Sequence, residues 1–197
     1  ASFSAPQYVC SIANQDHHAD PQADMVIIIP TSQHLLEQAQ RLATYHQEHD
    51  GLRVNIVTAD ELYNEFSSGT PDINAYRRYM KMLYDRAEKD DDMPQSLLLF
   101  GDCVWDNRML TSVCENLNPN DFLLCYESEN SFNEIYSYVD DGWLTLLDDG
   151  EGLDPKATDK QDIGVGRFPV TTVEDAKAVV DKCINYSNNK NGGSWQN

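Results

Sequence analysis

The stretch Met25-Val26-Ile27-Ile28-Ile29, closed by Pro30, decides the fold. Its apolar residues run without alternation and are mostly β-branched, which fits a strand covered on both faces rather than one with a wet side. Downstream, Thr31 or Ser32 is placed to cap a helix whose apolar positions Leu35, Leu36, Ala39, Leu42 and Ala43 recur at helical spacing. Asp50-Gly51 supplies its stop. Val54-Asn55-Ile56-Val57 reads as a second strand, after which Thr58 and Glu61 form a capping box that opens a short helix to about Phe66. Thr70-Pro71 is predicted to start a longer helix with the apolar stripe Ile73, Tyr76, Met80, Leu83, Tyr84 and Ala87, proline taking the first position where no amide is needed. The acidic turn Asp90-Asp91-Asp92 then leads to a third buried strand, Leu97-Leu98-Leu99-Phe100.

From Asp102 to Lys160 the periodicity weakens. Phe122-Leu123-Leu124-Cys125-Tyr126 and Tyr136-Ser137-Tyr138-Val139 are predicted strands of an antiparallel excursion around a polar turn, Glu127 to Asn133, since a structureless insertion this long is unusual in a compact domain. Ile163-Gly164-Val165-Gly166 returns to strand and Phe168-Pro169 breaks it. Thr171 with Glu174 is expected to cap the last helix, whose apolar face is Ala176, Val179, Val180, Cys183 and Ile184. Alternating strands and helices imply an α/β fold, a mostly parallel sheet flanked by helices with an inserted β excursion. The expected organisation is a leader over 1–24, an α/β unit over 25–190 and a linker over 191–197.

A length of 197 residues fits one such unit, the apolar fraction of 41% is ordinary for a globular protein, and ten Tyr and six Phe argue against disorder. No apolar run reaches the length of a membrane span. The start, Ala1-Ser2-Phe3-Ser4, has neither a basic region nor an apolar core, so no signal peptide is expected there. Thirty-three acids against 14 bases give a net charge of −19, which repels phosphate backbones and anionic membranes and makes nucleic acid an unexpected partner. The five cysteines, Cys10, Cys103, Cys114, Cys125 and Cys183, form neither a C-x-x-C pair nor a zinc-like spacing, and an odd number leaves one outside any internal bridge.

Ligands of open α/β sheets bind beyond the carboxyl ends of the strands. Pro30-Thr31-Ser32 has no glycine to cradle a phosphate, and Gly164-Val165-Gly166 lies inside a strand, so neither makes a nucleotide loop. Gly101-Asp102-Cys103 follows the third strand directly, and Cys103 is a candidate nucleophile if a base activates it. The histidines, His17, His18, His34, His46 and His49, all fall before or within the first helix, so none is placed to be that base. A packed or merely accessible thiol is the plainer reading of Cys103. His46 and His49 share a helix face but lack an evident third ligand, so a solvated helix end accounts for them. Asp140, Asp141, Asp148, Asp149, Glu151 and Asp154 supply hard oxygens and are candidate calcium ligands. They lack the EF-hand order, and a solvated acidic loop explains them equally. No cofactor is expected to be required.

Several stretches, in order, resemble the gingipain family of cysteine peptidases. They are Ile12-Ala13-Asn14-Gln15-Asp16, Asp24 through Ile29, Gly51-Leu52-Arg53-Val54 with Val57 through Tyr63, Leu97 through Asp102, and Ile163 through Pro169 leading to Val180 through Tyr186. The leader and Gly101-Asp102 with Trp105-Asp106-Asn107-Arg108 are most similar to the sortase-like, signal-cleaving branch that serves the Por (type nine) secretion system. The resemblance implies a caspase-like fold of two adjacent sheet-bearing subdomains, of which this chain is the N-terminal one. It also implies a histidine, within Gly-His-Gly, and a cysteine nucleophile in the second. No histidine here precedes a glycine, so no catalytic residue is carried over, and Cys103 stands where relatives often have glycine. The expected partners are the catalytic subdomain of the same polypeptide and secreted protein substrates. The expected location is the periplasm, outer membrane or cell surface. The competing reading is a stand-alone acidic protein-interaction module, with calcium as its candidate ligand, without enzymatic activity.

Overall fold

The computed structural model describes residues 4–8, 11, 13–128, 133, 135–152 and 159–189. Four strands, β1 (Met25–Ile29), β2 (Val54–Thr58), β3 (Ser96–Phe100) and β4 (Gly164–Phe168), form one all-parallel sheet in the order β2-β1-β3-β4. Register is unbroken: Met25 stands opposite Val54 on one side and Ser96 on the other, and Ser96 stands opposite Gly164. Every residue of β1 is buried, as its uninterrupted apolar run requires of a central strand with helices on both faces.

Strand alternation divides the core in two. Val26, Ile28, Val57, Leu97 and Leu99 face one layer, where they meet Leu62, Tyr63 and Phe66 of α2 (Ala59–Phe66) and Tyr76, Tyr79, Met80 and Leu83 of α3 (Asn74–Asp85). Ile27, Ile29, Leu98 and Phe100 face the other, against Leu42 of α1 (Leu36–Tyr45) and Ala176 and Val180 of α4 (Val173–Ser187). A π-helical turn, His46–Asp50, ends α1, and Gly51 at φ 71° takes the left-handed position that reverses the chain.

The Thr58–Glu61 capping box is present. Other helix starts move. α1 begins at Leu36 without a side-chain cap, because Thr31 to Gln33 form a tight turn with Gln33 at φ 57°. Pro71 lies ahead of α3, since the Asp72 carboxylate takes the Asn74 amide at 2.9 Å and starts the helix there. Thr172, not Thr171, caps α4, accepting the Asp175 amide at 3.1 Å.

The excursion is less regular than expected. Phe122–Tyr126 touches the chain beyond β3 through one bridge, Cys103 to Leu123, and Glu127 pairs with Val139 in another. Between Val139 and β4 the chain forms a 3-10 segment, Asp141–Thr145, that buries Trp143, Leu144 and Thr145 beneath the sheet. Most of the expected turn at 127–133, and Cys10, Ile12, Asp154 and 191–197, lie outside the described residues. Residues 15–24 dock on α2 and α3. Glu65 takes the His17 amide at 2.9 Å and the Gln15 side-chain amide at 2.7 Å, and Gln22 reaches the Leu83 carbonyl at 2.8 Å. At the foot of β1, Arg53 grips Asp24 through Nη2 at 2.7 Å and its own amide, also at 2.7 Å, which holds that carboxyl below its usual range.

Candidate functional site

The carboxyl end of the sheet carries the Gly101-Asp102-Cys103 turn, and the local chain is tightly specified. The Asp102 amide donates to the Val170 carbonyl at 3.2 Å, and the Leu123 amide donates to the Asp102 carbonyl at 2.9 Å. The turn therefore sits between the exit of β4 and the excursion. Gly101 is required by space rather than by backbone angle: a Cβ there would lie 2.9 Å from Pro30 Cγ and 3.3 Å from Leu123 Cγ. Just downstream, the buried Asp106 takes the Thr111 amide at 2.6 Å, and this bond folds the Trp105-Asp106-Asn107-Arg108 stretch back on itself while Trp105 projects 63% exposed.

Arg167 of β4 organises the site from below. Its side chain, 10% exposed, donates to the carbonyls of Gly101 at 3.1 Å and Leu124 at 3.0 Å and holds Asp141. Burial works against its charge, but the Asp141 carboxylate and the neighbouring thiols raise its pKa above the usual guanidinium value. Cys103, half-buried, lies against the buried Cys125 thiol, which donates to its sulfur. That hydrogen bond, with Arg167 adding positive potential, brings the Cys103 pKa down to about 7; burial, Asp141 and Asp102 oppose it. The same contact pushes Cys125 up, since ionising it would forfeit the donated proton and place a second charge beside the first.

The feature that sequence reading missed is this Cys103–Cys125–Arg167–Asp141 cluster. Its members lie far apart in sequence and carry no shared spacing, so only the fold brings them together. His34 is also differently placed. It lies in the loop after β1, at the carboxyl end of the sheet, not within the helix. Its Nε2 donates to the Thr171 carbonyl at 3.0 Å while Nδ1 meets the Ser32 hydroxyl at 2.6 Å. The remaining histidines have partners of their own: His17 with Asp20, His18 with Glu65, and His46 and His49 with Asp50.

The expected calcium ligands are dispersed. Asp140 takes the Gly142 amide at 2.7 Å, Asp141 pairs with Arg167, and Asp149 meets Lys81 at 2.9 Å. Asp148 and Glu151 do come together, with Asp162, their carboxylate oxygens within 4.8 Å of one another; Asp16, His18 and Glu65 form a second such group. Both groups are also engaged by protein donors, Leu147 to Asp162 at 2.6 Å and Lys160 to Glu151 at 3.2 Å in the first. A cavity of about 300 Å³ opens beside the thiols, lined by Asp72, Asn74, Asn107, Cys125, Glu127 and Trp143. Burial raises the Glu127 carboxyl there. Among the described residues, no helix is long and apolar enough to cross a membrane.

Residues 18–197 match the family model of peptidase family C25. Among solved structures, the crystal structure of dimeric latent PorU from Porphyromonas gingivalis superposes with a TM-score of 0.82 at 38% identity. That match covers 98% of this chain and 18% of PorU, so the chain spans less than a fifth of that protein. No curated protein sequence matches.

Proposed function

Since the chain belongs to peptidase family C25, the gingipain family, we propose that it is the N-terminal, non-catalytic subdomain of a cysteine endopeptidase or sortase of the type nine secretion system. In that reading the Cys/His pair lies in a second subdomain of the same polypeptide. There a thiolate attacks a peptide carbonyl, histidine moves the proton, and the acyl group passes to water or an amine. Secreted proteins are the substrates, and the periplasm, outer membrane or cell surface is the location. One observation supports the non-catalytic role: the Cys103 thiol faces Cys125 and Arg167, while each histidine is bonded elsewhere. Arg167 can favour a thiolate but cannot shuttle a proton, because a guanidinium does not deprotonate in proteins.

The same reading assigns the buttressing surface to β4. The Gly164 amide donates to Gln95 across the sheet at 2.9 Å, so alternation turns the Val165 and Arg167 amides toward the open edge. Among the described residues that edge has no partner strand, and with Gly164 and Gly166 exposed it suits continuation by a neighbouring subdomain.

The test uses the full-length polypeptide and a reporter peptide. Cys103→Ala is expected to keep kcat/KM unchanged, while Val165→Pro, which deletes an edge-facing amide and spares the β3 ladder, lowers it. Loss of all activity in Cys103→Ala, with folding intact, would overturn the assignment. The rival reading, an acidic interaction module, draws on the Asp148–Glu151–Asp162 group alone. It predicts calcium-dependent partner binding without peptidase activity.

A further inference from the structure

The geometry points to Cys103 and Cys125 as a disulfide-forming pair, with Cys103 the attacking thiol and Cys125 the resolving one. This inference does not depend on where the catalytic residues of the longer polypeptide lie.

Three features carry it. The first is contact. Cys103 stands opposite Leu123 in a parallel bridge, and Leu123 donates its amide to Asp102 at 2.9 Å, so the two segments run side by side. Cys125 follows two residues further on in that segment, and its thiol neighbours that of Cys103. The second is asymmetry of access. Cys103 is half-buried and reachable, whereas Cys125 is 9% exposed, so an oxidant meets Cys103 first. The third is the charge around them. The Arg167 guanidinium favours the thiolate at Cys103, while Asp102, Asp141 and Glu127 are the acids that face the pair. Reactive thiols occur in such positively flanked, accessible settings. The other described cysteines differ: Cys114 is 2% exposed, and Cys183 lies on α4 against the opposite face of the sheet.

The oxidant is a small disulfide such as oxidised glutathione, or the disulfide of an oxidoreductase of an oxidising compartment. The Cys103 thiolate attacks one sulfur of that disulfide, forming a mixed disulfide and releasing one thiol. Cys125 gives up its proton, attacks Cys103 Sγ and expels the second thiol. The two cysteines lose two electrons and two protons in all, and the oxidant gains both. The product closes the loop of residues 103–125 and pins Trp105, Asp106 and one wall of the adjoining cavity to the sheet. In a reducing environment that loop is held by non-covalent contacts, among them its bridge, the Arg167 bonds and the Ser32 amide on the Asn120 carbonyl at 2.9 Å.

The test treats the full polypeptide with oxidised glutathione at mildly alkaline pH, alkylates free thiols, and digests it with trypsin and a glutamyl endopeptidase without reduction. Trypsin frees residues 90–108, and cleavage at Glu115 and Glu127 frees residues 116–127 apart from Cys114. Mass spectrometry is expected to find these two peptides joined, two hydrogens lighter than their sum. In Cys125→Ser, Cys103 is expected to be trapped as the glutathione adduct. Oxidation should also raise the Tm of the domain by about 5–10 °C, by closing the loop in the unfolded chain, and Cys103→Ser should remove that rise. If wild-type Cys103 carries glutathione without transferring to Cys125, or if both thiols stay alkylatable after oxidation, the inference is overturned. Because the wild-type digest decides this, poor folding of either variant does not rescue the idea.

Discussion

Arg167 binds Asp141 through two parallel contacts, Nε to Oδ2 at 2.8 Å and Nη2 to Oδ1 at 2.7 Å. With its bonds to the carbonyls of Gly101 and Leu124, the pair joins β4, the turn after β3, the excursion and the 3-10 segment. A planar guanidinium fits such a fork, and an ammonium does not.

Replacing Arg167 therefore has a larger effect than removing a surface ion pair. Arg167→Met leaves Asp141 and two carbonyls without their donor and is expected to cost about 3 kcal/mol. Asp141→Asn in the same background should recover part of the loss, because the stranded charge is gone. Urea denaturation of the four members of this cycle reads the coupling. Removing the guanidinium should also raise the Cys103 pKa, so alkylation at neutral pH slows. Equal stability of Arg167→Met and wild type would mean that the fork does not hold the segments together.

Gly101 invites a second substitution. Its neighbours are a proline ring, which a Cβ would meet at 2.9 Å, and the buried Leu123, met at 3.3 Å. Gly101→Ala is expected to destabilise by about 1–3 kcal/mol through overpacking, seen as a lower urea midpoint with an unchanged slope. An alanine variant as stable as the wild type would show that the turn can move away from Pro30.

Much of the architecture is legible because its determinants are local. The unbroken run at residues 25–29 encodes a central strand by itself, and Thr58 with Glu61 encodes a helix start within four residues. Where two local signals compete, the pattern misleads. Pro71 offers a first helical position, but the Asp72 side chain captures the Asn74 amide and delays the helix. The Ser32–His34 contact and the turn at Gln33 likewise occupy the segment where α1 was expected to begin. The site is harder to read, because Cys103, Cys125, Asp141 and Arg167 belong to four different segments. No periodicity links residues whose proximity is set by the order of strands in the sheet.

The acidic stretch yields a prediction about metal removal. Asp140, Asp141 and Asp149 each have a protein donor within 2.9 Å, and Asp148 accepts the Tyr84 hydroxyl at 3.0 Å. Partners of this kind already offset the charge that a calcium ion would otherwise neutralise. Chelation with EDTA is expected to leave the Tm unchanged in a thermal melt. A Tm that rises with millimolar calcium, falls back with EDTA and loses both responses in Asp162→Asn would assign a cation to the Asp148–Glu151–Asp162 group.

Glu65 makes the leader's attachment dependent on pH. Burial of its carboxyl works against ionisation, but the His17 amide, the Gln15 side chain and the His18 ring outweigh it and bring the pKa down to about 2 from an ordinary 4.5. A carboxyl depressed in the folded state contributes stability that is fully present above the unfolded value and is lost as pH falls toward the folded one. The window is therefore pH 4.5 down to about 2. Glu65→Gln keeps the shape but loses the charge-assisted bonds, so it should be less stable by about 1–2 kcal/mol at neutral pH. Its deficit should shrink through that window and vanish near the lower end, where the wild-type carboxyl is itself protonated. Asp24 is depressed too, by Arg53, but it is common to both proteins and cancels in the difference. Thermal melts of the pair across the acid range measure this difference directly. Two curves that stay parallel throughout would show that Glu65 holds residues 15–18 by packing, His18 on Phe66 at 4.6 Å, and not by its charge.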